Sequence, residues 1–391
     1  MSAAAPELVA DVAGVVGLAE GEAGVVDVVR VVARLEPVAV RKISRATELP
    51  VPLVSAICNE LRKRGVVARE RPVQLTPGGR ELFADVSGRA PVAAGCASCD
   101  GHEIVVPSTL ATVARRLAAA ASAAPPRRVE LDQTHCTVDT KLRRVLMMHE
   151  EGALAGKRVV LLGDDDLTAL AIALAAEELG LATAIRGLVI VDIDPAVVSF
   201  LRRALRRAPF PVDVLVHDLR RPLPEQLRGV ADTVFTDPPY TAEGATLFLS
   251  RAAEATAGRL RADVFLAFGG RRPDTVLALQ RALVDMGFVV RRLVRNFNEY
   301  LGAGALAGTS HLYQLATTAA ARPLVAGDYD GPLYTGDVRH PVRAYRCKRC
   351  RTIERVGPRQ RWPHVGALKR DGCPRCGANT FAPLTRPRPR G

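Results

Sequence analysis

Arg158-Val159-Val160-Leu161-Leu162-Gly163-Asp164-Asp165-Asp166-Leu167 is a short apolar run that ends in one glycine and three aspartates. Such a run, bounded by a turn signal, predicts a buried strand, and the residues from about Leu167 predict a helix. Strand, tight turn on Gly163 and helix form the opening unit of a nucleotide-binding α/β domain. There the turn faces the ligand at the carboxyl ends of the strands. Glycines at this point let the backbone approach a phosphate or carboxylate. Three carboxylates instead repel an anion and attract an amine, so this turn predicts a cation site.

The same alternation continues outward. Strand-like runs at 188–192, 212–216, 233–236, 262–268 and 289–294 alternate with helical ones between about Gly156 and Thr318. That pattern predicts a mostly parallel sheet covered on both faces. The second strand ends in Asp192-Ile193-Asp194, roughly 20–30 residues past the first turn, where an acidic side chain commonly accepts the ribose hydroxyls. Asp192 is assigned to ribose, and Asp194, just before Pro195, to capping or a secondary role. His217-Asp218, after the third strand, takes the adenine-edge position on placement alone.

The fourth strand ends in Asp237-Pro238-Pro239-Tyr240. The prolines remove backbone donors and fix φ, so carbonyls and the Asp237 carboxylate can aim at an amine. Tyr240 can cover a cationic group with its ring. Together these turns place an adenosine beside an amine nucleophile. An intact methionyl carboxylate about 4 Å from the aspartate run would meet about 4 kcal/mol of repulsion at an effective dielectric near 20, before screening. Decarboxylated S-adenosylmethionine lacks that group and ends in an ammonium, which makes aminopropyl the transferred group.

The motifs Gly163-Asp164-Asp165-Asp166-Leu167-Thr168, Asp192-Ile193-Asp194, His217-Asp218-Leu219-Arg220 and Thr236-Asp237-Pro238-Pro239-Tyr240-Thr241 resemble the branched-chain polyamine synthase family. The resemblance extends to Asn298-Glu299-Tyr300, Ser310-His311-Leu312-Tyr313, Cys96-x-x-Cys99 and Asp132-Gln133. It implies a winged-helix-like N-terminal domain, a Rossmann-like catalytic domain, and aminopropyl transfer to the secondary amine of spermidine. It also implies that Asp164, Asp165 and Asp166 position and activate the amine together with Asp237 and Tyr240. Gly163, Gln133, Asp192, Asp194, His217, Asp218 and Pro238 are then expected around the nucleoside.

Four units follow. Residues 1–90 read as a winged helix, with two short helices around a tight turn and the basic end Arg62-Lys63-Arg64. Residues 91–155 read as a linker and the N-terminal part of the catalytic region. Residues 156–335 read as a Rossmann-like methyltransferase/aminopropyltransferase domain, and 336–391 as a zinc ribbon with an arginine-rich tail. In the ribbon, Cys347-x-x-Cys350 and Cys373-x-x-Cys376 have the spacing of a closed, structural Zn²⁺ site. Cys96, Cys99 and His102 make only half a site, and Cys58 and Cys136 read as isolated thiols.

Net charge is +13 and mean hydropathy +0.09. From Val338 to Gly391 there are 15 Lys+Arg against 2 Asp+Glu, which leaves 39 of each in the preceding residues. The basic excess therefore belongs to the C-terminal segment, where nucleic acid is a candidate partner. No apolar run approaches a membrane span and the acidic N-terminus carries no basic leader, so a cytoplasmic location is expected; a homodimer is a further expectation. The competing readings are an S-adenosylmethionine-dependent amino-methyltransferase acting on nucleic acid and a polyamine-sensing winged-helix regulator.

Overall fold

The computed structural model describes residues 5–18, 20–47, 49–84, 101–269, 273–302, 308–336, 343–357, 360–362 and 365–384. Cys96, Cys99 and the Arg386–Arg390 tail lie outside these residues.

Five helices build the N-terminal unit: α1 (Ala5–Val16), α2 (Gly21–Leu35), α3 (Val40–Thr47), α4 (Val51–Lys63) and α5 (Pro77–Leu82). Antiparallel bridges join Val38 to Val73 and Val67 to Leu75. Valines at i, i+3, i+4 and i+7 of α2 (Val25, Val28, Val29, Val32) bury one stripe against Ile43, Ile57 and Leu61. The basic end of α4 is engaged by neighbouring side chains. Arg64 pairs with Glu60 at 2.6 Å and with Asp11, Lys63 pairs with Glu60 at 2.6 Å, and Arg62 bonds Asn59 at 2.7 Å.

The central sheet has seven strands: β1 (Arg158–Leu162), β2 (Gly187–Asp192), β3 (Val212–Val216), β4 (Thr233–Thr236), β5 (Asp263–Phe268), β6 (Phe288–Glu299) and β7 (Thr309–Thr317). Their order is β3-β2-β1-β4-β5-β7-β6, with the first five parallel and β7 antiparallel to both neighbours. The sheet is thus mixed. Sequence periodicity misses β7 because its buried residues include Ser310, His311, Gln314 and Thr317, so no apolar run marks it.

Two apolar layers cover the sheet. One face packs on α6 (Ala111–Ser122), α7 (Val138–Glu150), α8 (Thr168–Ala175) and α9 (Pro195–Ala204). The other packs on α10 (Ala242–Ala255) and α11 (Pro273–Asp285). The helices α6 and α7 precede residue 156 yet share the core of β1. Strand order reverses between β1 and β4, and the crevice at their carboxyl ends is where ligands bind in such sheets. A separate unit follows: β8 (Arg343–Cys347), β9 (Ile353–Val356), α12 (Val365–Asp371) and β10 (Phe381–Pro383), around its own core of Trp362, Leu368 and Phe381.

A buried arginine fixes the segment that leaves β7. Arg251 of α10, fully buried, pairs with Glu254 at 2.6 Å and donates to the carbonyls of Leu219, Val325 and Gly327. Removing it strands a buried carboxylate and four carbonyls, that of Arg220 included. Arg251→Ala is expected to lower stability by about 3–5 kcal/mol, measured by urea unfolding.

Candidate functional site

The turn after β1 begins with Gly163 at φ +76°, in the left-handed region that favours glycine. Leu167, buried and at φ +60°, adopts that conformation without being glycine and sets the start of α8. The three aspartates between them part company. Asp164 folds back over the helix: its carboxylate accepts from the amides of Thr168 at 2.6 Å and Ala169 at 3.1 Å. It caps α8 and lines neither cavity of the site. Asp166 turns inward, accepting from Arg144 at 2.9 Å and from the Cys136 amide at 2.5 Å, with Lys141 Nζ at 3.8 Å. Asp165 faces both cavities and its carboxylate has no hydrogen-bond or ion-pair partner among the described residues, whereas the engaged Asp166 reaches the wall of the larger one only.

Two cavities meet there. The larger, about 350 Å³, is lined by Arg127, Asp132, Gln133, Pro238, Tyr240 and Tyr300 among others. The narrower, about 60 Å³, is lined by Gly163, Asp192, Ile193, Asp218, Phe248 and Tyr334 among others. Asp132, Gln133, Asp165, Asp237 and Pro239 belong to both walls. The aspartate run and the turn after β4 therefore converge as the sequence predicted.

Asp237 is held on all sides. Its Oδ2 accepts from Arg144 and from the Tyr300 hydroxyl, each at 2.7 Å, and its Oδ1 accepts from Tyr240 at 3.0 Å. The two tyrosine hydroxyls lie 2.5 Å apart, and their rings meet edge-on. Arg144, fully buried in α7, also bonds Asn298 at 2.8 Å and lies 4.9 Å over the Phe235 ring. Arg144, Lys141 and Tyr300 are the residues that sequence reasoning missed as site members. A charged helical residue reads as solvent-facing, whereas every residue from Thr140 to Met148 is buried here. The only sequence signal was the Asn298-Glu299-Tyr300 motif.

The nucleoside assignments divide as well. Asp192, 5% exposed, accepts from the amides of Asp164 at 2.9 Å and Asp194 at 2.8 Å and still faces the narrower cavity. Asp194 is the N-cap of α9, accepting from Ala196 at 2.9 Å and from Gln133 Nε2 at 3.2 Å, and lines no cavity. Asp218 lines the narrower cavity, but His217 does not: its Nε2 lies 3.1 Å from the Pro222 carbonyl. The adenine-edge expectation for His217 is corrected on that ground. It sits one residue before the turn reaches the ligand side.

Burial and crowding set the protonation of these groups. Burial, with Asp166, Asp192, Asp237 and Asp164 nearby, raises the Asp165 carboxyl well above the usual range. Burial likewise raises Asp237, which Arg144 pulls back, to about 6. For Asp166 burial is outweighed by Arg144, Lys141 and the Cys136 amide, and its carboxyl falls to about 2. The site is thus a sink for positive charge, with one carboxylate uncommitted. Farther along the chain, the Sγ atoms of Cys347, Cys350, Cys373 and Cys376 lie within 4.8 Å of one another, with the pairs 347–376 at 3.6 Å and 350–373 at 3.5 Å. Cys58 and Cys136 are buried thiols apart from any such cluster.

Residues 112–326 match the family model described as the branched-chain polyamine synthase A C-terminal domain. An uncharacterized protein of Methanocaldococcus jannaschii is 34% identical over 354 residues, which is 90% of this chain and 87% of that protein. An N(4)-bis(aminopropyl)spermidine synthase of Thermus thermophilus is 33% identical over 264 residues, covering 66% of this chain and 71% of that protein. The crystal structure of the branched-chain polyamine synthase from Thermus thermophilus, in complex with N4-aminopropylspermidine and 5'-methylthioadenosine, matches with a TM-score of 0.66 at 26% identity. That match covers 85% of this chain and 98% of the other.

A raised carboxyl in the folded state means the proton binds more tightly there than in the unfolded chain. Its ionisation therefore costs stability as pH rises through the folded value, and the cost vanishes at low pH. Asp165→Asn is expected to raise Tm by about 2–4 °C at pH 8, the shift given by about 1 kcal/mol in a domain of this size. The gain should disappear near pH 4. Differential scanning calorimetry across that range checks it.

Proposed function

The chain belongs to the branched-chain polyamine synthase family, and from that premise we propose that it transfers aminopropyl from decarboxylated S-adenosylmethionine to the secondary amine of a polyamine such as spermidine. The observation that carries the reading is the wall shared by the two cavities, with Asp165 and Asp237 on it. A nucleoside seated along the wall of the narrower cavity, which is too small to enclose it, and an amine in the larger one meet at those carboxylates.

In this reading Asp192 holds the ribose, and Gly163, Phe248 and Tyr334 shape the nucleoside side. Asp165 binds and orients the polyamine. Asp237 accepts from the N–H of its neutral internal nitrogen and, with Tyr240 alongside, aims the lone pair in line with the carbon next to the sulfonium. The nitrogen lone pair forms the new N–C bond, the C–S bond breaks, and its electron pair goes to sulfur, giving neutral methylthioadenosine. Asp165 or a water takes the displaced proton. Orientation and preorganised charge supply most of the rate, because the sulfonium is already a good leaving group. Arg144 is a positioning residue: it holds Asp166 and Asp237 in fixed register and touches no substrate.

The C-terminal cysteines fit a structural Zn²⁺. Four thiolates at about 2.3 Å from one ion are separated by distances close to those between their sulfurs here. The ion would hold β8, β9 and β10 together and supply no catalysis. The N-terminal unit is read as a winged helix, with the Val67–Leu75 bridge as its wing. The neutralised basic end of α4 favours a structural role for it over a DNA-reading one.

Incubation with spermidine and either decarboxylated or intact S-adenosylmethionine, read by product mass, tests the function. One or two added aminopropyl groups from the decarboxylated donor are expected, and methyl transfer from the intact one would sink the reading. The acid limb of kcat/KM should fall near pH 6, because Asp237 is protonated below that value and no longer accepts from the amine. Asp237→Asn should lose at least 100-fold in kcat at pH 8, with the deficit shrinking as pH falls below about 6. Zinc analysis should give one ion per chain. Cys350→Ser should lose the ion and leave the thermal transition of the catalytic core in place.

A further inference from the structure

The three-stranded C-terminal sheet has two unlike faces. Register fixes them, since directly opposed residues of antiparallel strands share a face. Tyr345, Cys347, Val356 and Phe381 face the small core with Trp362 and Leu368. Ala344 opposes Arg355, Arg346 opposes Ile353, and Ala382 opposes Arg346, so these residues form the other face. Arg346 and Arg355 are exposed, and Ile353 beside them is 52% exposed. Neither arginine has an ion-pair partner among the described residues, unlike the paired basic residues of α4. The one acidic residue of β9, Glu354, opposes Tyr345 and lies on the opposite face.

We propose that this face of the C-terminal sheet binds single-stranded nucleic acid, with Arg346 and Arg355 on successive phosphates and Ile353 against a ribose or base. The two arginines sit diagonally across the strand pair, where the backbones of such neighbours lie roughly 7–8 Å apart. That spacing suits two adjacent points on an extended anionic chain. Ala344 and Ala382 are too short to screen them. A guanidinium presents a planar fork that matches a phosphate bidentately, and 13 of the 15 basic residues from Val338 to Gly391 are arginine. A lipid surface would call for a broader apolar patch, and Ile353 is the one large exposed apolar side chain of this sheet among the described residues. The proposal rests on the reading of the four cysteines as a zinc site, not on the transfer reaction.

The test uses the full-length, zinc-loaded chain and fluorescence anisotropy with a labelled 20-nucleotide single strand, as RNA and as DNA. Saturable binding at 50 mM salt is expected for at least one of them. Arg346→Ser/Arg355→Ser should weaken it at least tenfold and reduce the salt slope by about 1.4, the value for two lost phosphate contacts on a single strand. Arg355→Gln alone should weaken it at least threefold. Arg206→Ser/Arg207→Ser, which removes two exposed charges elsewhere, should leave it unchanged. Aminopropyl transfer by the ribbon variants should equal that of the parent chain. Absence of binding to either strand by protein carrying one zinc would overturn the proposal. Equal weakening by the control pair, or preferred binding to phosphatidylglycerol vesicles, would do so too. Loss of zinc with loss of binding in the parent chain would instead trace the failure to the metal reading.

Discussion

The buried guanidinium of Arg144 is the interaction on which the site's geometry depends. It reaches from α7 to the turn after β1 through Asp166 and to the turn after β4 through Asp237. Those two turns flank the point where the strand order reverses. A pair of carboxylates this deeply buried would otherwise repel each other and drive a proton onto one of them. With a cation between them both can stay charged, provided that every remaining lone pair and N–H is met. The tyrosine hydroxyls, Asn298 and the Cys136 amide meet them.

The aspartate run consequently performs three tasks with one residue type. Asp164 satisfies the first amides of α8, a helix with no other side-chain cap. Asp166 neutralises Arg144. Only Asp165 is left without a partner in the protein, and burial beside its acidic neighbours favours its protonated form until a cation arrives. A cation site therefore needs fewer than the three free charges that the run suggests. One uncommitted carboxylate in a poorly solvated wall is enough, because the other two are already spent on the protein.

What the sequence carried well were features written in apolar runs and turn residues. The first five parallel strands, the Gly163 turn and the Asp237-Pro238-Pro239-Tyr240 turn were legible because burial of a strand needs contiguous apolar residues and a sharp turn needs particular ones. What it carried poorly were buried polar groups. Strand β7 hides behind Ser310, His311 and Gln314, and α7 behind Lys141, Arg143 and Arg144, because charge in a sequence reads as exposure. The partition of the aspartates and the displacement of His217 by one residue are tertiary facts. They depend on which way a side chain turns, which no spacing encodes.

The wall common to the two cavities has a further effect once the reaction has run. A decarboxylated donor brings two positive charges to its side of Asp165, the sulfonium and the terminal ammonium. In the proposed transfer both are gone from that side afterwards: sulfur becomes a neutral thioether and the ammonium crosses with the propyl chain. The spent nucleoside has then lost its electrostatic hold, while the lengthened amine has gained a charge on the other side of the same carboxylate. Chemistry would thus unlatch one product and tighten the other, which gives turnover a built-in order of departure.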